Sequence, residues 1–189
     1  DGKVCVITGA GGGMGREAAI LFTAEGAQVC AADVMLDAAE ETVSMCSGEA
    51  FAAGVDVADE GQVDAMMTAT VGRFGGIDVL YNNAGISPAD DASILDTSVE
   101  AWQRVQDVNA KGVFLCCKHG IPHLLERGAD PNKPYVGQIH NISLCCDAEQ
   151  NSSPFFRAAA GVSTGRGRSR PVTAVAEGVI APQMFTAKL

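Results

Sequence analysis

A glycine-rich segment near the start of this 189-residue chain has the spacing of a phosphate-binding loop. TGAGGGMG, residues 8–15, follows a short apolar run and precedes a stretch of helix formers. Glycines let a backbone turn tightly and approach a diphosphate without Cβ clashes. The helix would direct free N–H groups and the positive end of its dipole at that anion. The residues that we predict to contact the diphosphate are Gly9, Gly13, Met14 and Gly15.

An acidic residue at the expected distance supports the same interpretation. Asp33 closes a second apolar run, AQVCAAD, where a carboxylate would hydrogen-bond the ribose of an adenine dinucleotide. A carboxylate there would repel a 2′-phosphate, and Val34 and Met35, which follow it, offer no cation. These residues favour NAD over NADP as the cofactor. The alternative is a carboxylate that only serves the entry of a helix or loop.

The chain alternates short apolar runs with segments of helical period. Strands are predicted over 3–8, 27–33, 50–56, 77–82 and 136–143, with 172–177 as a candidate sixth. Helices are predicted over 14–25, 37–46, 59–74 and 98–127. Asp37 is the expected N-cap of the second helix, and Pro122 is expected to kink or break the last one. Strands joined by helical crossovers predict an α/β fold with a doubly wound, three-layer parallel sheet, the Rossmann fold.

The length and the pattern predict a single domain over residues 1–189, without an internal repeat or a linker. This assignment rests on residues 2–143, whereas residues 144–189 diverge from the pattern. GVSTGRGRSRP, residues 161–171, carries arginines and glycines where a helix should continue. We therefore expect the sheet to be incomplete at its C-terminal end.

The charge balance and the cysteine spacing limit the partners and the location. Thirteen Lys plus Arg against 23 Asp plus Glu give a formal charge of −10, which disfavours nucleic acid and anionic membrane surfaces as partners. The apolar runs are shorter than the ~20 residues of a bilayer span, and the first residues show no secretory signal. The seven cysteines fit neither a disulfide framework nor a zinc ribbon. We expect a soluble, cytoplasmic protein.

A constellation that could bind a metal lies on the last predicted helix. Cys116, His119 and His123 share one helical face at i, i+3 and i+7. Three such ligands could hold zinc. We favour the alternative, a packed and hydrogen-bonded helix face, and expect no metal.

Several motifs in the expected order resemble those of the short-chain dehydrogenase/reductase family. The loop at 8–15 matches the family's TGxxxGxG motif, and NNAG at 82–85 matches a second one. The pair at 56–57, Asp-Val, resembles the pair that contacts adenine. Asn109 matches the catalytic asparagine, and Ser143, which closes IHNIS, stands where the family carries its catalytic serine.

The resemblance implies hydride transfer between NAD(H) and a secondary alcohol or ketone, by a homo-oligomer that is a dimer or a tetramer. Ser143 would hold the carbonyl oxygen, and Asn109 would organise water. Cofactor contacts are implied for Gly9, Gly13, Met14, Gly15, Asp33, Asp56, Val57, Asn83, Ala84 and Gly85.

Simpler structural roles are open for some of these residues. Asn82 and Asn83 could tie their strand to its neighbours, and Ser143 could be a strand-end hydroxyl bonded to backbone. Asn109 is unfavourable inside a helix, so a kink or a water network should compensate for it.

The family's proton-transferring tyrosine and the lysine four residues after it have no counterpart here. A neighbouring cation is needed because a free tyrosine, with a pKa near ~10, is a poor base at neutral pH. SSPFFRAAAGV, residues 152–162, stands at the equivalent place. The tyrosine position falls on Phe155 or Phe156, and the lysine position on Ala159 or Ala160. Nothing in the spacing singles out a substitute base among Cys145, Cys146, Asp147 and Glu149.

Two hypotheses follow from this gap. The first is an NAD(H)-dependent oxidoreductase that is impaired because the YxxxK pair is missing. The second is a catalytically inactive NAD(H)-binding protein that acts as a sensor, a scaffold or a subunit.

Overall fold

Five parallel strands form the central sheet within the part of the chain that the structure describes. The computed structural model describes residues 1–91, 93–128 and 137–142, which belong to one compact unit of the chain. The strands are β1 (Val4–Thr8), β2 (Gln28–Asp33), β3 (Ala50–Gly54), β4 (Val79–Asn82) and β5 (Gln138–Asn141). Their spatial order is β3-β2-β1-β4-β5, and every neighbouring pair is parallel. The parallel α/β sheet predicted from the sequence is confirmed.

The strand order reverses between β1 and β4. From β1 the chain adds β2 and β3 on one side, and it then crosses back to add β4 and β5 on the other. In such sheets ligands bind outside the carboxyl ends of the strands at this switch point. The carboxyl ends of β1 and β4, at Thr8 and Asn82, therefore mark where a ligand should bind.

Helices cover both faces of the sheet. They are α1 (Gly13–Ala24), α2 (Leu36–Met45), α3 (Glu60–Phe74), α4 (Val99–Gln106) and α5 (Gly112–Gly128). On β1, successive side chains point to opposite faces. Val6 packs in a cluster with Met67 of α3 and Leu115 of α5, whereas Ile7 packs in a second cluster with Ala19 of α1. The result is the predicted three-layer arrangement.

The start of α2 differs from the sequence expectation. The N-cap is Met35, and Asp37 lies inside the first turn, so its assignment as the N-cap is wrong. The cause lies two residues before the cap, where Asp33 Oδ1 accepts a hydrogen bond from the Met35 N–H at 3.0 Å. This local turn brings the chain into the helix early, and Asp37 still carries a charge suited to a helix N-terminus.

The segment predicted as one helix over 98–127 is interrupted. A π-helical turn, Asp107–Lys111, separates α4 from α5. Pro122 does not break the helix, since α5 continues through it to Gly128, and the alternative, a kink at Pro122, stays a prediction. Cys116 before the proline and Leu124 after it are both buried in the core. This packing holds α5 helical across the proline.

The last three strands are shorter than predicted. The third ends at Gly54, the fourth begins at Val79, and the fifth covers Gln138–Asn141. All of 144–189 lies outside the described residues, including the candidate strand 172–177 and the Arg- and Gly-rich segment 161–171. The single-domain assignment over 1–189 therefore stays a prediction. None of the helices within the described residues has the length and hydropathy that a bilayer span requires.

Candidate dinucleotide-binding site

The glycine-rich loop is in direct backbone contact with the NNAG segment. Gly9 has a φ of +66°, and a Cβ built there would lie 2.9 Å from Ala84 Cα. A Cβ on Gly15 would collide with the Gly9 carbonyl oxygen. A larger residue at either position would therefore force the loop away from its neighbours.

The outer side of the loop is open, and it presents the N-terminus of α1. A Cβ added at Gly12 or Gly13 would meet nothing within 4 Å. Among the residues that the structure describes, no side chain caps α1, whose first turn contains no acidic residue. Met14, in this turn, is 55% exposed. N–H groups at the positive end of a helix, next to open space, suit a diphosphate.

Asp33 lies between this loop and the start of α2. Its Oδ2 accepts a hydrogen bond from the Gly11 N–H at 2.9 Å, and its Oδ1 accepts one from the Met35 N–H at 3.0 Å. Each carboxylate oxygen has a second lone pair that can accept from a ribose hydroxyl. The half-buried carboxylate is thus fixed at the end of β2, beside the exposed side chains of Val34 and Met35.

Hydrogen bonds fasten the NNAG segment to the neighbouring strands. Asn82 Nδ2 donates to Asn141 Oδ1 at 2.9 Å, and Asn83 Nδ2 donates to the Thr8 carbonyl at 3.0 Å. The Thr8 hydroxyl accepts from the N–H groups of Asn83 and Ala84, each at 3.1 Å. Both asparagines therefore tie their strand to its neighbours. They also hold Ala84, and Gly85 after it, beside the loop.

Asp56 and Val57 occupy the turn between β3 and α3. The Asp56 carboxylate accepts from the Ala58 N–H at 2.9 Å, and the Val57 side chain is 7% exposed. A Cβ on Gly112 would lie 2.7 Å from Val57 Cγ2, so this valine packs tightly under α5. An adenine at this place would contact the backbone of the pair more than the Val57 side chain.

Asn109 lies on the π-helical turn and binds the chain just after NNAG. Its Oδ1 accepts from the Ile86 N–H at 2.8 Å, and its Nδ2 donates to the Ile86 carbonyl at 2.9 Å. The side-chain amide of Asn109 is thus satisfied by the Ile86 backbone, and the kink or water network expected to compensate for an asparagine inside a helix stays a prediction.

Residues expected to move the proton are not among those that the structure describes. Ser143 directly follows Ile142, whose N–H donates to the Asn82 carbonyl at 2.9 Å. The following positions also lie outside the described residues: Cys145, Cys146, Asp147, Glu149, Phe155, Phe156, Ala159 and Ala160. The geometry of proton transfer thus stays a sequence-based expectation.

The three candidate metal ligands on α5 do not converge. Cys116 is 1% exposed in the core, and burial raises the pKa of its thiol to about 12. His119 faces α3, with Nδ1 2.9 Å from Asp64 Oδ1 and Nε2 3.0 Å from Glu60 Oε1. His123 Nδ1 lies 3.5 Å from Glu126 Oε2. In the described part of the chain no group of three or more His, Cys, Asp and Glu could hold a metal ion.

The sequence does not predict two residues that hold the loop in place. Arg16 Nη2 donates to the Gly11 carbonyl at 2.6 Å, and Thr42 Oγ1 donates to the Ala10 carbonyl at 2.7 Å. Thr42 is 32 positions from Ala10 and sits inside a helix. No spacing rule in the sequence signals a contact of this kind.

Comparisons with known proteins agree with this geometry. A family model described as short chain dehydrogenase matches residues 3–143. Meso-2,3-butanediol dehydrogenase of Serratia marcescens is 46% identical over 127 residues, which cover 67% of this chain and 50% of the relative. Cis-4-hydroxycyclohexanecarboxylate dehydrogenase of Sinomonas cyclohexanicum is 35% identical over 181 residues, which cover 94% of this chain and 69% of that enzyme.

A solved structure shows the same fold. The crystal structure of 3-ketoacyl-(acyl-carrier-protein) reductase from Brucella melitensis, complexed with NADH, matches with a TM-score of 0.64 and 37% sequence identity. The match covers 68% of this chain and 53% of that one. The chain spans about half the length of curated relatives such as the Serratia enzyme. With its family motifs on a five-stranded parallel sheet, the chain belongs to the short-chain dehydrogenase/reductase family.

Proposed function

We propose that this chain binds NAD(H) at the carboxyl ends of β1, β2 and β4, and that it binds NAD(H) more tightly than NADP(H). The observation that carries the proposal is the position of the Asp33 carboxylate, which Gly11 and Met35 hold beside the loop. A 2′-phosphate at this position would meet a negative charge. The two residues after Asp33 are Val34 and Met35, which supply no positive charge.

Each part of the cofactor has a group of residues suited to it. The N–H groups at the start of α1, from Gly13 to Gly15, would hold the diphosphate, and Asp33 would accept hydrogen bonds from the ribose. The 56–57 pair would flank the adenine. The cofactor would contact Asn83, Ala84 and Gly85 on the other side of the loop. When bound, the nicotinamide supplies the chemistry by accepting or donating a hydride.

The reaction class that we infer is hydride transfer between NAD(H) and a secondary alcohol or ketone. Support comes from the family and from the names of its relatives, among them the butanediol dehydrogenase of Serratia marcescens. We assign Ser143 to hold the carbonyl oxygen, and Asn109 to organise water and to hold the chain at Ile86. These assignments follow the resemblance of both positions to the family pattern.

Turnover by this chain is expected to be low. Phenylalanine at 155 or 156 keeps an aromatic ring but carries no proton, and alanine at 159 or 160 carries no cation. General acid–base catalysis typically contributes roughly 10²- to 10⁴-fold. The same substitutions favour the second candidate function, a dinucleotide-binding protein without catalysis that acts as a sensor, a scaffold or a subunit.

We also propose that the chain forms a homo-oligomer, a dimer or a tetramer. Large apolar side chains on α4 and α5 support this, since Val99, Trp102 and Phe114 are 75%, 52% and 47% exposed. Size-exclusion chromatography with light scattering tests it, and a purely monomeric protein would contradict it. We also propose a cytoplasmic location, because the cysteine spacing fits a reduced chain.

A fluorescence titration tests the binding proposal directly. We expect NADH to bind at least about tenfold more tightly than NADPH, because a 2′-phosphate loses the ribose hydrogen bond and meets the Asp33 charge. Equal or reversed affinities would contradict the preference, and no binding of either nucleotide would contradict the function itself.

A turnover assay separates the two candidate functions. A panel of secondary alcohols with NAD is expected to give negligible NADH. Rapid NADH formation would show that another group serves as the base, and it would support the oxidoreductase instead of the inactive protein.

A further inference from the structure

The backbone of Ala10 and Gly11, in the glycine-rich loop, is hydrogen-bonded to the rest of the protein. The N–H and the carbonyl of each residue make one hydrogen bond, four in all. The partners are Ala32 O at 3.0 Å, Thr42 Oγ1 at 2.7 Å, Asp33 Oδ2 at 2.9 Å and Arg16 Nη2 at 2.6 Å. The conformation of this part of the loop is therefore set before any ligand binds.

Thr42 makes its contact, which is buried, from within α2. Its side chain is fully buried, and its hydroxyl has one proton to donate. The Ala10 carbonyl at 2.7 Å is closer than the Ala38 carbonyl of its own helix at 3.1 Å, so the proton is directed at the loop. The same oxygen accepts from Arg16 Nε at 3.0 Å.

Arg16 completes the arrangement on the more exposed side. Its guanidinium bridges the Thr42 hydroxyl and the Gly11 carbonyl, and Glu41 Oε2 lies 2.7 Å from the same Nη2. The carbonyls of Ala10 and Gly11 therefore point at donors on α1 and α2. A carbonyl oxygen turned to the open side of the loop would instead place negative charge against a diphosphate.

We propose that Thr42 is a positioning residue for dinucleotide binding. By holding the Ala10 carbonyl on α2, it keeps the loop in the conformation that aims the N–H groups at the start of α1 toward the diphosphate. This inference rests on the proposed function, NAD(H) binding at the loop. It adds a residue of α2 that cannot itself reach the cofactor, because its side chain is fully buried.

The test compares Thr42→Val with a matched change elsewhere. Thr70 is also fully buried in a helix, but its hydroxyl donates to Met66 of the same helix at 2.8 Å. Thr70→Val removes the same group without touching the loop. Thr42→Ser keeps the hydroxyl and serves as the rescue variant.

Three probes separate positioning of the loop from general damage: NADH, ADP-ribose and adenosine. For Thr42→Val we expect the Kd of NADH and of ADP-ribose to rise about tenfold, which is the size of one or two lost hydrogen bonds. Adenosine lacks the diphosphate, so its Kd, from a ligand-observed NMR titration, should stay at the wild-type value. Thr42→Ser and Thr70→Val should bind all three probes like the wild type.

Two results would overturn the inference while leaving the proposed function intact. They are an unchanged NADH affinity in Thr42→Val, and equal weakening of adenosine and NADH. Should Thr42→Val fail to fold, Arg16→Met replaces it, since the Arg16 side chain is partly exposed and bonds both the Thr42 hydroxyl and the Gly11 carbonyl. Arg16→Met must weaken NADH and ADP-ribose but not adenosine. A wild-type protein that binds no NADH would instead contradict the proposed function.

Discussion

The side-chain amide of Asn109 makes two hydrogen bonds to the backbone of Ile86. It accepts from the Ile86 N–H at 2.8 Å and donates to the Ile86 carbonyl at 2.9 Å. A side-chain amide is the group that can satisfy both backbone partners at once in this geometry. The π-helical turn at Asp107–Lys111 places that amide toward the segment after NNAG. The contact between Asn109 and Ile86 thus links the π-helical turn between α4 and α5 to the chain just after NNAG.

Asn109→Ala should destabilise the protein. The variant leaves the part-buried N–H and carbonyl of Ile86 without their partner. We expect the free energy of unfolding to fall by about 1–3 kcal/mol. Urea denaturation followed by circular dichroism measures the difference.

The control for this variant is Gln103→Ala on α4. Gln103 is exposed, and its Nε2 donates to Asp107 Oδ1 on the surface at 3.1 Å. Its removal should change stability by less than about 0.5 kcal/mol. If Asn109→Ala costs no more than Gln103→Ala, the two-point contact does not stabilise the segment.

Asp33→Asn should reduce the preference for NADH over NADPH. The change removes the negative charge while keeping one carbonyl oxygen that can accept from the Gly11 N–H. NADPH affinity should rise because the 2′-phosphate no longer meets a carboxylate, whereas NADH affinity should fall as a charged hydrogen bond is lost. We expect the ratio of the two Kd values to shift by about tenfold or more.

Asp37→Asn is the matched control for the charge. It removes the same charge from the exposed first turn of α2. The NADH to NADPH ratio of this variant should stay close to that of the wild type. A similar shift in both variants would mean that the overall charge, rather than the contact at residue 33, sets the preference.

The sequence predicts the sheet well because parallel strands are covered on both faces. Such strands read as continuous apolar runs, and β1 and β2 begin and end within one residue of the predicted bounds. The N-cap of α3 also depends on residues close together in the sequence, since the Asp59 side chain accepts a hydrogen bond from the Gln62 N–H at 3.0 Å. Patterns confined to a few neighbouring residues are those that sequence reasoning can detect.

The features that sequence reasoning misses depend on partners far along the chain. The π-helical turn carries Asn109, whose partner Ile86 is 23 positions away. Nothing in the sequence distinguishes Thr42 from other helical threonines, because its contact with Ala10 forms only in the folded chain. The glycine loop and Asp33 are predicted as cofactor-binding residues because their spacing along the chain is itself the signal. Only the structure shows the hydrogen bonds that join the loop and Asp33 to α2 and its N-cap.

Arg127→Met should destabilise the amino-terminal edge of the sheet. Asp78 is 6% exposed, and both its carboxylate oxygens lie 3.3 Å from Arg127 Nε. Removing one partner of a buried pair typically costs about 3–5 kcal/mol. We expect a smaller loss, about 2 kcal/mol, because the Val4 N–H at 2.9 Å and the Lys3 ammonium at 3.9 Å still face the carboxylate.

The comparison for this pair is Arg104→Met. Arg104 Nη2 lies 2.8 Å from both carboxylate oxygens of Asp90, but both side chains are exposed. The midpoint of urea denaturation should not move in this variant, since exposed ion pairs contribute little. Equal losses in the two variants would contradict a special role for the buried carboxylate.

Buried thiols should make the protein less stable in alkaline solution. Burial raises the pKa of Cys5, Cys30 and Cys116 from 9.0 to about 12. Below pH 9 these thiols are protonated in both the folded and the unfolded chain, so their contribution is fully present. Between pH 9 and 12 only the unfolded chain ionises. Stability should then fall by roughly 1 kcal/mol per thiol for each pH unit.

Thiol labelling at about pH 8 checks the same property residue by residue. Iodoacetamide reacts with the thiolate, so a buried thiol with a raised pKa reacts slowly while the chain stays folded. Peptide mapping of the native protein should find Cys46, which is half-buried, labelled well before Cys30 and Cys116. Labelling in urea should make all three react at similar rates. Rapid labelling of Cys30 or Cys116 in the native protein would mean that the core around β2 and α5 opens readily.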